Sequence, residues 1–473
     1  MLRPDETEND LIILGGGING AGIAKAASQK GYTVTLLEAE DFASGASSAS
    51  TKLIHGGLRY LEQFDFNLVR KSLIERDKLL SDYPTLVSPM QFTVPQLHSI
   101  RPLWFIRLGL FLYDYLYWQN SLPKSGLYQF SRDQDLKAHI KQGFHYSDCW
   151  VDDSRLVIET LSEAQSFGAS IKNYSKATQT EYHDSKWKLI YFDKLNKKHK
   201  TIYGKCIVNA SGPWLDINQQ GLLHTDKTSL SLVKGSHLII KNHLQINRSY
   251  LLQNQDKRVI FVIPYLQHYL LVGTTDEQFD GDLDHFSPSK NEINYLLDVY
   301  NGYFSRSISH HDIVHVYSGV RPLLDENKAA QSISRDYRLI WQKDHSLWLN
   351  ILGGKLTTFR KLAEDALKEI NSQLTPSGQP KICDTPEIVS PDSKLEKELF
   401  NRYGGRFQKV LAYQKPNSQV FGSLQSFEVE YFINEEYAKT VDDIIWRRSK
   451  AGFDLSIEDY QNLQQFITNY QYK

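Results

Sequence analysis

The chain has 473 residues, of which 41% are hydrophobic and 23% charged, and its formal net charge is −1. This length accommodates two or three domains with a large core, and the composition excludes a disordered chain. The balanced charge excludes a global attraction to nucleic acid or to an anionic membrane, so any such contact must be local.

The first predicted elements form a dinucleotide-binding unit over residues 10–38. An apolar strand over residues 11–14 runs into Gly15, Gly17 and Gly20, which have G-x-G-x-x-G spacing, and a helix follows. Gly15 permits a tight turn, Gly17 lets a pyrophosphate approach the backbone, and Gly20 brings the helix close to the strand. Glu38 ends the second strand, where a carboxylate accepts ribose hydroxyls. Glycine-rich turns alone often only shape a chain, but this full context favours a dinucleotide site.

A loop of small residues over positions 42–51 follows the nucleotide unit. The loop is rich in serine, carries little side-chain bulk and offers many hydrogen-bond donors, so it is suited to lie along a flat polar ligand. The alternative is a flexible surface connection. Amphipathic helices are predicted over residues 71–80 and 154–167.

The most apolar stretch is an aromatic-rich segment over residues 103–118. It is too short to span a bilayer and contains Arg107 and Asp114, so a membrane-spanning helix is excluded. Because no clearly basic face accompanies the apolar residues, the pattern favours a core helix over an interfacial anchor.

The middle of the chain is rich in strands. Alternating residues at 186–203 predict a small antiparallel sheet, and residues 205–214 predict a buried strand that ends in a turn at Gly212. Further strands are predicted at residues 236–240, 259–264 and 269–273.

A second strand-to-helix junction is predicted near the end of this region. A strand over residues 347–352 ends in Gly353, Gly354 and Lys355 and leads into a helix from residue 359, whose free N–H groups suit an anion or a carbonyl. Glycine turns near residues 15, 212 and 354 therefore predict a nucleotide domain assembled from separated segments. From about residue 386 the pattern becomes helical.

The cysteines and the first residues bear on the compartment. Cys149, Cys206 and Cys383 are widely spaced, so they predict neither a disulfide framework nor a metal site, and they favour a reducing compartment. Residues 1–9 lack the basic and apolar regions of a secretion signal. We therefore expect a cytoplasmic protein without a metal ion.

Six further strings are dispersed along the chain. They are HGGLRYLE at 55–62, YSDCWVDDSR at 146–155, LVKGSH at 232–237, YSGVRPL at 317–323, GGKLTT at 353–358 and DDIIWRRSK at 442–450. In this order they closely resemble bacterial FAD-dependent sn-glycerol-3-phosphate dehydrogenases over nearly the whole chain. Ser211 stands where that family usually has threonine, and the C-terminal domain is shorter than in familiar members, which leaves oligomer contacts there in doubt.

The resemblance implies an α/β fold with three parts. They are an FAD-binding Rossmann-like domain over residues 10–85, 146–220 and 315–370, an α+β substrate-binding domain over residues 86–145 and 221–314, and a C-terminal helical domain over residues 386–473. It also implies oxidation of glycerol 3-phosphate to dihydroxyacetone phosphate and transfer of electrons to a membrane quinone. Peripheral contact with the inner face of the cytoplasmic membrane is expected, a homodimer is left open, and no nucleic-acid partner is expected.

The predicted site residues follow from the chemistry that this reaction needs. A phosphate dianion requires cations, for which Arg59, Arg321 and Lys355 are the candidates, with Tyr60 beside them. A hydroxyl proton requires an acceptor, either His55 or His237, and Arg321 is the alternative group to stabilise an alkoxide. The predicted FAD-binding residues are Gly15, Gly17, Gly20, Glu38, Ser47, Ser48, Ser50, Lys52, Leu53, His55, Gly212, Gly354, Lys355, Leu356 and Thr357.

Several other functions share parts of this pattern. A glycerol-3-phosphate oxidase would pass its electrons to oxygen, and an amino-acid oxidase would need a carboxylate clamp instead of a dianion site. A non-catalytic flavin-binding regulatory protein would not need the predicted histidines and cations. An NAD-dependent dehydrogenase usually has one contiguous nucleotide domain, which the separated glycine turns argue against.

Overall fold

The computed structural model describes residues 8–97, 101–130, 134–223, 230–324, 336–342, 346–382 and 390–471. The strands are β1 (Glu8–Leu14), β2 (Val34–Leu37), β3 (Leu53–Ile54), β4 (Val87–Pro95), β5 (Gly126–Gln129), β6 (Gln142–Val151), β7 (Ser170–Lys172), β8 (Ser175–His183), β9 (Lys186–Asp193), β10 (Lys198–Asn209), β11 (Leu230–Lys241), β12 (Ser249–Gln253), β13 (Val259–Tyr265), β14 (Tyr269–Gly273), β15 (Glu277–Gln278), β16 (Ile313–Leu324), β17 (Tyr337–Trp341), β18 (Trp348–Gly353), β19 (Val420–Phe421) and β20 (Leu424–Gln425). The α-helices are α1 (Ile18–Gln29), α2 (Phe66–Asp82), α3 (Leu103–Tyr115), α4 (Asp153–Ser166), α5 (Leu215–Asn218), α6 (Lys290–Tyr303), α7 (Phe359–Asn371), α8 (Lys394–Tyr403), α9 (Phe407–Leu411), α10 (Ser426–Glu435) and α11 (Ile457–Gln471).

The first sheet carries the predicted nucleotide unit and has the strand order β17–β18–β10–β1–β2–β7. β1 pairs in parallel with β2 and β10, and β10 pairs in parallel with β18. Strands of parallel sheets are buried on both faces, which explains the apolar run of residues 11–14 in β1 and the complete burial of β2. α1 packs against α4 and α7, and Leu11 and Ile13 join this core. The start of α1 therefore lies at the carboxyl ends of the parallel strands, where ligand crevices form.

β10 differs from the sequence prediction. The change from alternating to continuous apolar residues near position 203 predicts two strands, but the structure has one. Its first half pairs antiparallel with β9, and its second half pairs in parallel with β1. The change in pattern marks the point where one strand passes from a half-exposed to a fully buried position.

The second sheet has the strand order β15–β11–β14–β13–β12–β4–β6–β3, with β16 paired to β11 and β5 to β6. α6 contributes to the apolar core on one face, and α2 and α3 contribute to the core on the other. The boundaries predicted at residues 146 and 315 fall inside β6 and β16, and the division into domains stays a prediction. Both strands belong to the second sheet, because the chain crosses between the sheets at strand ends rather than within a strand.

α3 corrects the prediction of a core helix. Ile106, Leu110 and Tyr113 are buried on its inner face, but Trp104 is 68% exposed and Phe111 55% exposed on its outer face. The sequence could not separate these faces, because both are apolar. Among the described residues, no helix combines the length and apolar character needed to cross a membrane.

The last described part of the chain, residues 390–471, is a helical unit with its own apolar core formed by α8 to α11. Charged pairs join it to the nucleotide sheet. Arg447 and Arg448 bind Asp41, and Arg155 on α4 donates two hydrogen bonds to Glu436 at 2.5 and 2.9 Å. The predicted C-terminal domain also includes residues 386–389 and 472–473, which lie outside the described residues.

Two sequence predictions concern cysteines and the first residues. Cys149 and Cys206 are buried free thiols. Cys383 lies outside the described residues, as do residues 1–7 of the segment in which no secretion signal is predicted.

Candidate functional site

The turn from β1 into α1 has the backbone that the glycine spacing predicts. Gly15 has a φ of +109°, which disfavours any residue with a side chain, and a Cβ at Gly20 would overlap the Gly15 carbonyl oxygen. Gly17 is the N-cap of α1 and has no side chain with which to cap the helix, and Ser47 Oγ accepts a hydrogen bond from the first helical N–H, that of Ile18. Gly15 and Gly17 line a cavity, whereas Gly20 packs against the turn and does not line it. The start of α1 is thus open to an anionic ligand.

Glu38 closes the adenosine side of this turn. Its carboxylate accepts hydrogen bonds from the backbone N–H of Gly16 at 2.6 Å and of Glu40 at 2.9 Å, and Glu38 also lines the cavity. Burial raises the pKa of Glu38, and these two backbone donors oppose that rise. Glu38 thus lies at the cavity beside the turn, and its predicted contact with ribose hydroxyls stays a prediction.

The serine-rich loop forms the next wall of the cavity. Ser47, Ser50 and Leu53 line it, and Ser47 Oγ also accepts a hydrogen bond from the N–H of Ile18 at 3.0 Å. Ser48 and Lys52, which the sequence also predicts at the cofactor, do not line the cavity. Lys52 instead points behind the loop and donates to the Ser48 carbonyl oxygen at 3.3 Å.

A buried aspartate that the sequence did not single out holds this loop. Asp153 is completely buried and accepts hydrogen bonds from Ser50 Oγ and Lys52 Nζ, both at 2.7 Å. A buried charge is stable only when it is paired, so the Lys52–Asp153 pair fixes the back of the loop. Asp153 lies in the string YSDCWVDDSR, but nothing in its spacing indicates which loop it would contact.

The remaining glycine turns face the same cavity. Gly212, Gly353 and Gly354 all have positive φ and all line it, as do Lys355, Leu356 and Thr357. His55 is tied to this turn, because its N–H donates to Thr357 Oγ1 at 3.2 Å. Segments that are far apart in sequence therefore surround one ligand site.

The cavity fits a flavin dinucleotide. Its volume is about 660 Å³, within the range of roughly 300–1,000 Å³ that is usual for ligand sites. It extends from the start of α1 and Glu38, past the serine-rich loop, to the turn at Gly354. Gly15 and Gly17 line the cavity at the start of α1, and a Cβ at Gly17 would have only the Ser47 hydroxyl within 4 Å, at 3.1 Å.

Positive side chains line the other end of the cavity. Arg59, Arg321, Lys355 and Tyr60 are all in its wall, as the sequence predicts for a phosphate site. Lys355 Nζ lies 3.8 Å from the centre of the Tyr60 ring, a cation–π contact that orients the ammonium group. Asp276 lies between the two arginines and pairs with both. This end of the cavity can bind an oxyanion.

The two predicted histidines have different surroundings. His55 lines the cavity. His237 is completely buried and does not line it; Nε2 lies 2.9 Å from Thr51 Oγ1, and its ring stacks on Tyr317 with centres 4.7 Å apart. Burial and then the charge of Arg321 lower the pKa of His237 well below 6.5. His237 is therefore neutral at physiological pH and supports the loop at Thr51.

Most of the predicted site residues thus meet at one cavity, although they come from distant parts of the sequence. Those in its wall are Gly15, Gly17, Glu38, Ser47, Ser50, Leu53, His55, Arg59, Tyr60, Gly212, Arg321, Gly354, Lys355, Leu356 and Thr357. Those outside its wall are Gly20, Ser48, Lys52 and His237. Among the charged residues that the sequence did not single out, Asp153 holds the serine-rich loop and Asp276 pairs with both arginines of the wall.

Comparison with known proteins gives relatives over the full chain. The aerobic glycerol-3-phosphate dehydrogenase of Escherichia coli (strain K12) is 38% identical, and the alignment covers 98% of this chain and 97% of that protein. The D-erythritol 1-phosphate dehydrogenase of Brucella abortus (strain 2308) is 37% identical over 94% of this chain and 95% of that protein. The structure of a glycerol-3-phosphate dehydrogenase from Bacillus halodurans complexed with FAD is similar in fold, with a TM-score of 0.75, 24% identity, and coverage of 98% of this chain and 90% of that one.

Family models match nearly the whole chain. The model described as FAD dependent oxidoreductase matches residues 10–357, which include every predicted cofactor and substrate residue. The model described as the C-terminal domain of alpha-glycerophosphate oxidase matches residues 349–468. FAD is therefore the cofactor for which this cavity is built. The chain belongs to the family of FAD-dependent oxidoreductases, in the branch that carries the C-terminal domain of alpha-glycerophosphate oxidase.

Proposed function

We propose that this protein oxidises sn-glycerol 3-phosphate to dihydroxyacetone phosphate and passes the electrons to a respiratory quinone. The observation that carries the proposal is the presence of Arg59, Arg321 and Lys355 in the wall of the FAD cavity. A phosphate dianion requires several cations at one place, whereas the carboxylate of an amino acid needs one clamp. The names of the full-length relatives support the same substrate class.

The residues of the cavity have distinct tasks in this reaction. Bound FAD supplies the hydride acceptor for the hydrogen on C2. His55 accepts the proton of the C2 hydroxyl, since it is the predicted histidine that lines the cavity. Arg59 and Lys355 bind the phosphate, and Arg321 contacts the phosphate and steadies the oxygen on C2 as negative charge develops there. His237 keeps Thr51 in place behind the loop.

Anaerobic mixing of the oxidised holoenzyme with glycerol 3-phosphate tests the reaction. We expect rapid bleaching of the flavin absorbance, and very slow bleaching with glycerol, which lacks the dianion. Loss of one charge-assisted contact costs about 2–3 kcal/mol of transition-state binding. Comparable rates with glycerol would contradict the proposed phosphate site. Adding a quinone or oxygen to the reduced enzyme then distinguishes a dehydrogenase from an oxidase.

A longer polyol phosphate is the second candidate substrate. The observation in its favour is the D-erythritol 1-phosphate dehydrogenase of Brucella abortus, which aligns along nearly its whole length with this chain. The same rapid-mixing experiment with erythritol 1-phosphate compares the two. We expect a higher kcat/KM for glycerol 3-phosphate, and the reverse order would assign the four-carbon substrate.

We further propose peripheral contact with the inner face of the cytoplasmic membrane through α3. Trp104, Leu108, Phe111 and Tyr115 are spaced three or four residues apart and are 47–68% exposed, so they form one apolar face. Phe105, Leu108 and Leu112 of the same helix also line the cavity. An apolar quinone in the membrane would therefore meet the protein next to its flavin site. A homodimer stays a prediction, which light scattering of the holoenzyme tests.

A further inference from the structure

A carboxylate lies between the two arginines of the cavity. Asp276 Oδ1 accepts a hydrogen bond from Arg321 Nη1 at 2.7 Å, and Oδ2 accepts one from Arg59 Nη1 at 3.3 Å. No motif marks this residue in the sequence. We propose that Asp276 is a positioning residue that holds Arg59 and Arg321 together as one phosphate-binding pair; this inference rests on the proposed function.

The two arginines come from separate elements. Arg59 lies in a 3₁₀ turn, Leu58–Gln63, directly after the left-handed Gly57, and Arg321 lies in β16. Arg321 Nη2 also donates to Thr274 Oγ1 at 2.9 Å. Residues 274 and 276 therefore hold both terminal nitrogens of one guanidinium group, and Asp276 connects that group to the second arginine.

The three side chains of this cluster differ in burial. The Asp276 side chain is 5% exposed, whereas those of Arg59 and Arg321 are 22% and 26% exposed. The carboxylate is thus more buried than the guanidinium groups, although all three residues line the cavity. Asp276 acts on a bound phosphate through the arginines.

The charges explain why such a residue is needed. Two guanidinium groups at one end of a cavity repel each other, and this repulsion is stronger where water is excluded. A carboxylate that accepts from both offsets the repulsion and fixes their separation, as charge-assisted hydrogen bonds do. A phosphate then meets oriented donors and need not bring them together itself.

Titration of the oxidised holoenzyme with inorganic phosphate, followed by flavin absorbance, tests the inference. In Asp276→Asn one acceptor oxygen remains, but the negative charge and the bridge are lost. We expect the Kd for phosphate and the KM for glycerol 3-phosphate to rise about tenfold or more, with kcat changed less and with normal FAD content. Asp280→Asn removes an exposed carboxylate from the same segment and should leave both constants unchanged.

Combination with Arg59→Lys distinguishes positioning from a merely structural role. If Asp276 acts through the arginine pair, Asp276→Asn should weaken phosphate binding much less in the Arg59→Lys background than in the wild type. If Asp276→Asn fails to retain FAD, Asp276→Glu, which keeps the charge, replaces it in the same comparison of single and double variants. We then expect a smaller rise in the Kd for phosphate. An unchanged Kd in Asp276→Asn, or an equal effect in both backgrounds, would overturn the inference.

The phosphate titration needs no turnover, so it separates this inference from the proposed function. If glycerol 3-phosphate fails to bleach the wild-type flavin while Asp276→Asn still weakens phosphate binding, only the proposed function is wrong. If bleaching is normal and the Kd does not change, only the positioning role of Asp276 is wrong.

Discussion

At the scale of single residues, Gly17 shows how the absence of one side chain makes room for a cofactor. A Cβ here would meet only the hydroxyl of Ser47, so the fold tolerates it, but a larger side chain would occupy the place of the pyrophosphate. We expect Gly17→Val to purify folded and to keep less than about a tenth of its FAD. Absorbance and circular dichroism measure both quantities. Gly20→Ala is the contrast, because its Cβ overlaps backbone and should reduce folding itself. A fully yellow Gly17→Val protein would contradict this assignment.

Arg321 is the residue whose geometry matters most for the proposed chemistry. Its guanidinium group uses two nitrogens at once, on Asp276 and on Thr274, which a lysine with a single nitrogen cannot do. We expect Arg321→Lys to slow flavin reduction by about a hundredfold, with normal FAD content. Rapid mixing of this variant beside Arg59→Lys and Lys355→Arg ranks the three cations. A rate close to that of the wild type would show that Arg321 does not steady the developing charge on C2 and would leave His55 as the catalytic residue of the proposed reaction.

At the scale of elements, α3 combines a fixed inner face with an apolar outer face. Tyr113 on the inner face donates to Asp148 at 2.6 Å, and Asp148 also accepts from the buried Arg76 at 3.0 Å. The helix is therefore anchored to the second sheet, and its outer face can change without loss of the fold.

Substitution of that outer face tests the proposed membrane contact. Burial of an aromatic side chain contributes about 1.5–3 kcal/mol. The double variant Trp104→Ser with Phe111→Ser should therefore bind lipid vesicles more weakly than the wild type, by about a hundredfold or more. Flavin reduction by glycerol 3-phosphate should not change. Ile457→Ser removes an apolar side chain that is 82% exposed on α11 and should bind like the wild type. Equal vesicle binding by all three proteins would exclude α3 as the contact.

At the scale of the whole molecule, the sequence predicted those features that lie within one continuous segment. The strand, glycine turn and helix around Gly15 are local, so their backbone follows from the residues themselves. The contacts of Asp153 with Lys52 and of Asp276 with two arginines join residues that are far apart in sequence, and no local pattern encodes such pairs. The outer face of α3 was predicted wrongly, since apolar side chains have the same sequence pattern whether they are buried in a core or exposed at the surface.

The C-terminal unit is held to the nucleotide sheet by charge, which makes this contact dependent on pH. Burial raises the pKa of Asp41, but Arg448 and then Arg447 outweigh burial and leave that pKa below its ordinary value of 3.8. A carboxyl whose pKa is lower in the folded state stabilises the protein above its unfolded pKa, and this stability is lost as the pH falls through the folded pKa. Asp41 therefore stabilises the docked C-terminal unit at neutral pH, and this contribution declines below about pH 4.

The Arg448 side chain is 0% exposed. In Asp41→Asn its guanidinium group would therefore stay buried but would have lost the carboxylate of Asp41. Loss of one partner of a buried pair costs about 3–5 kcal/mol, so we expect a lower free energy of unfolding at pH 7 by this amount. The difference between variant and wild type should shrink as the pH falls below about 4, since the wild-type carboxyl is then protonated as well. Urea unfolding at several pH values measures both effects, and Asp184→Asn, on a side chain that is 86% exposed, is the control. A difference that stays constant across this pH range would show that packing around Asp41, and not its charge, joins the C-terminal unit to the nucleotide sheet.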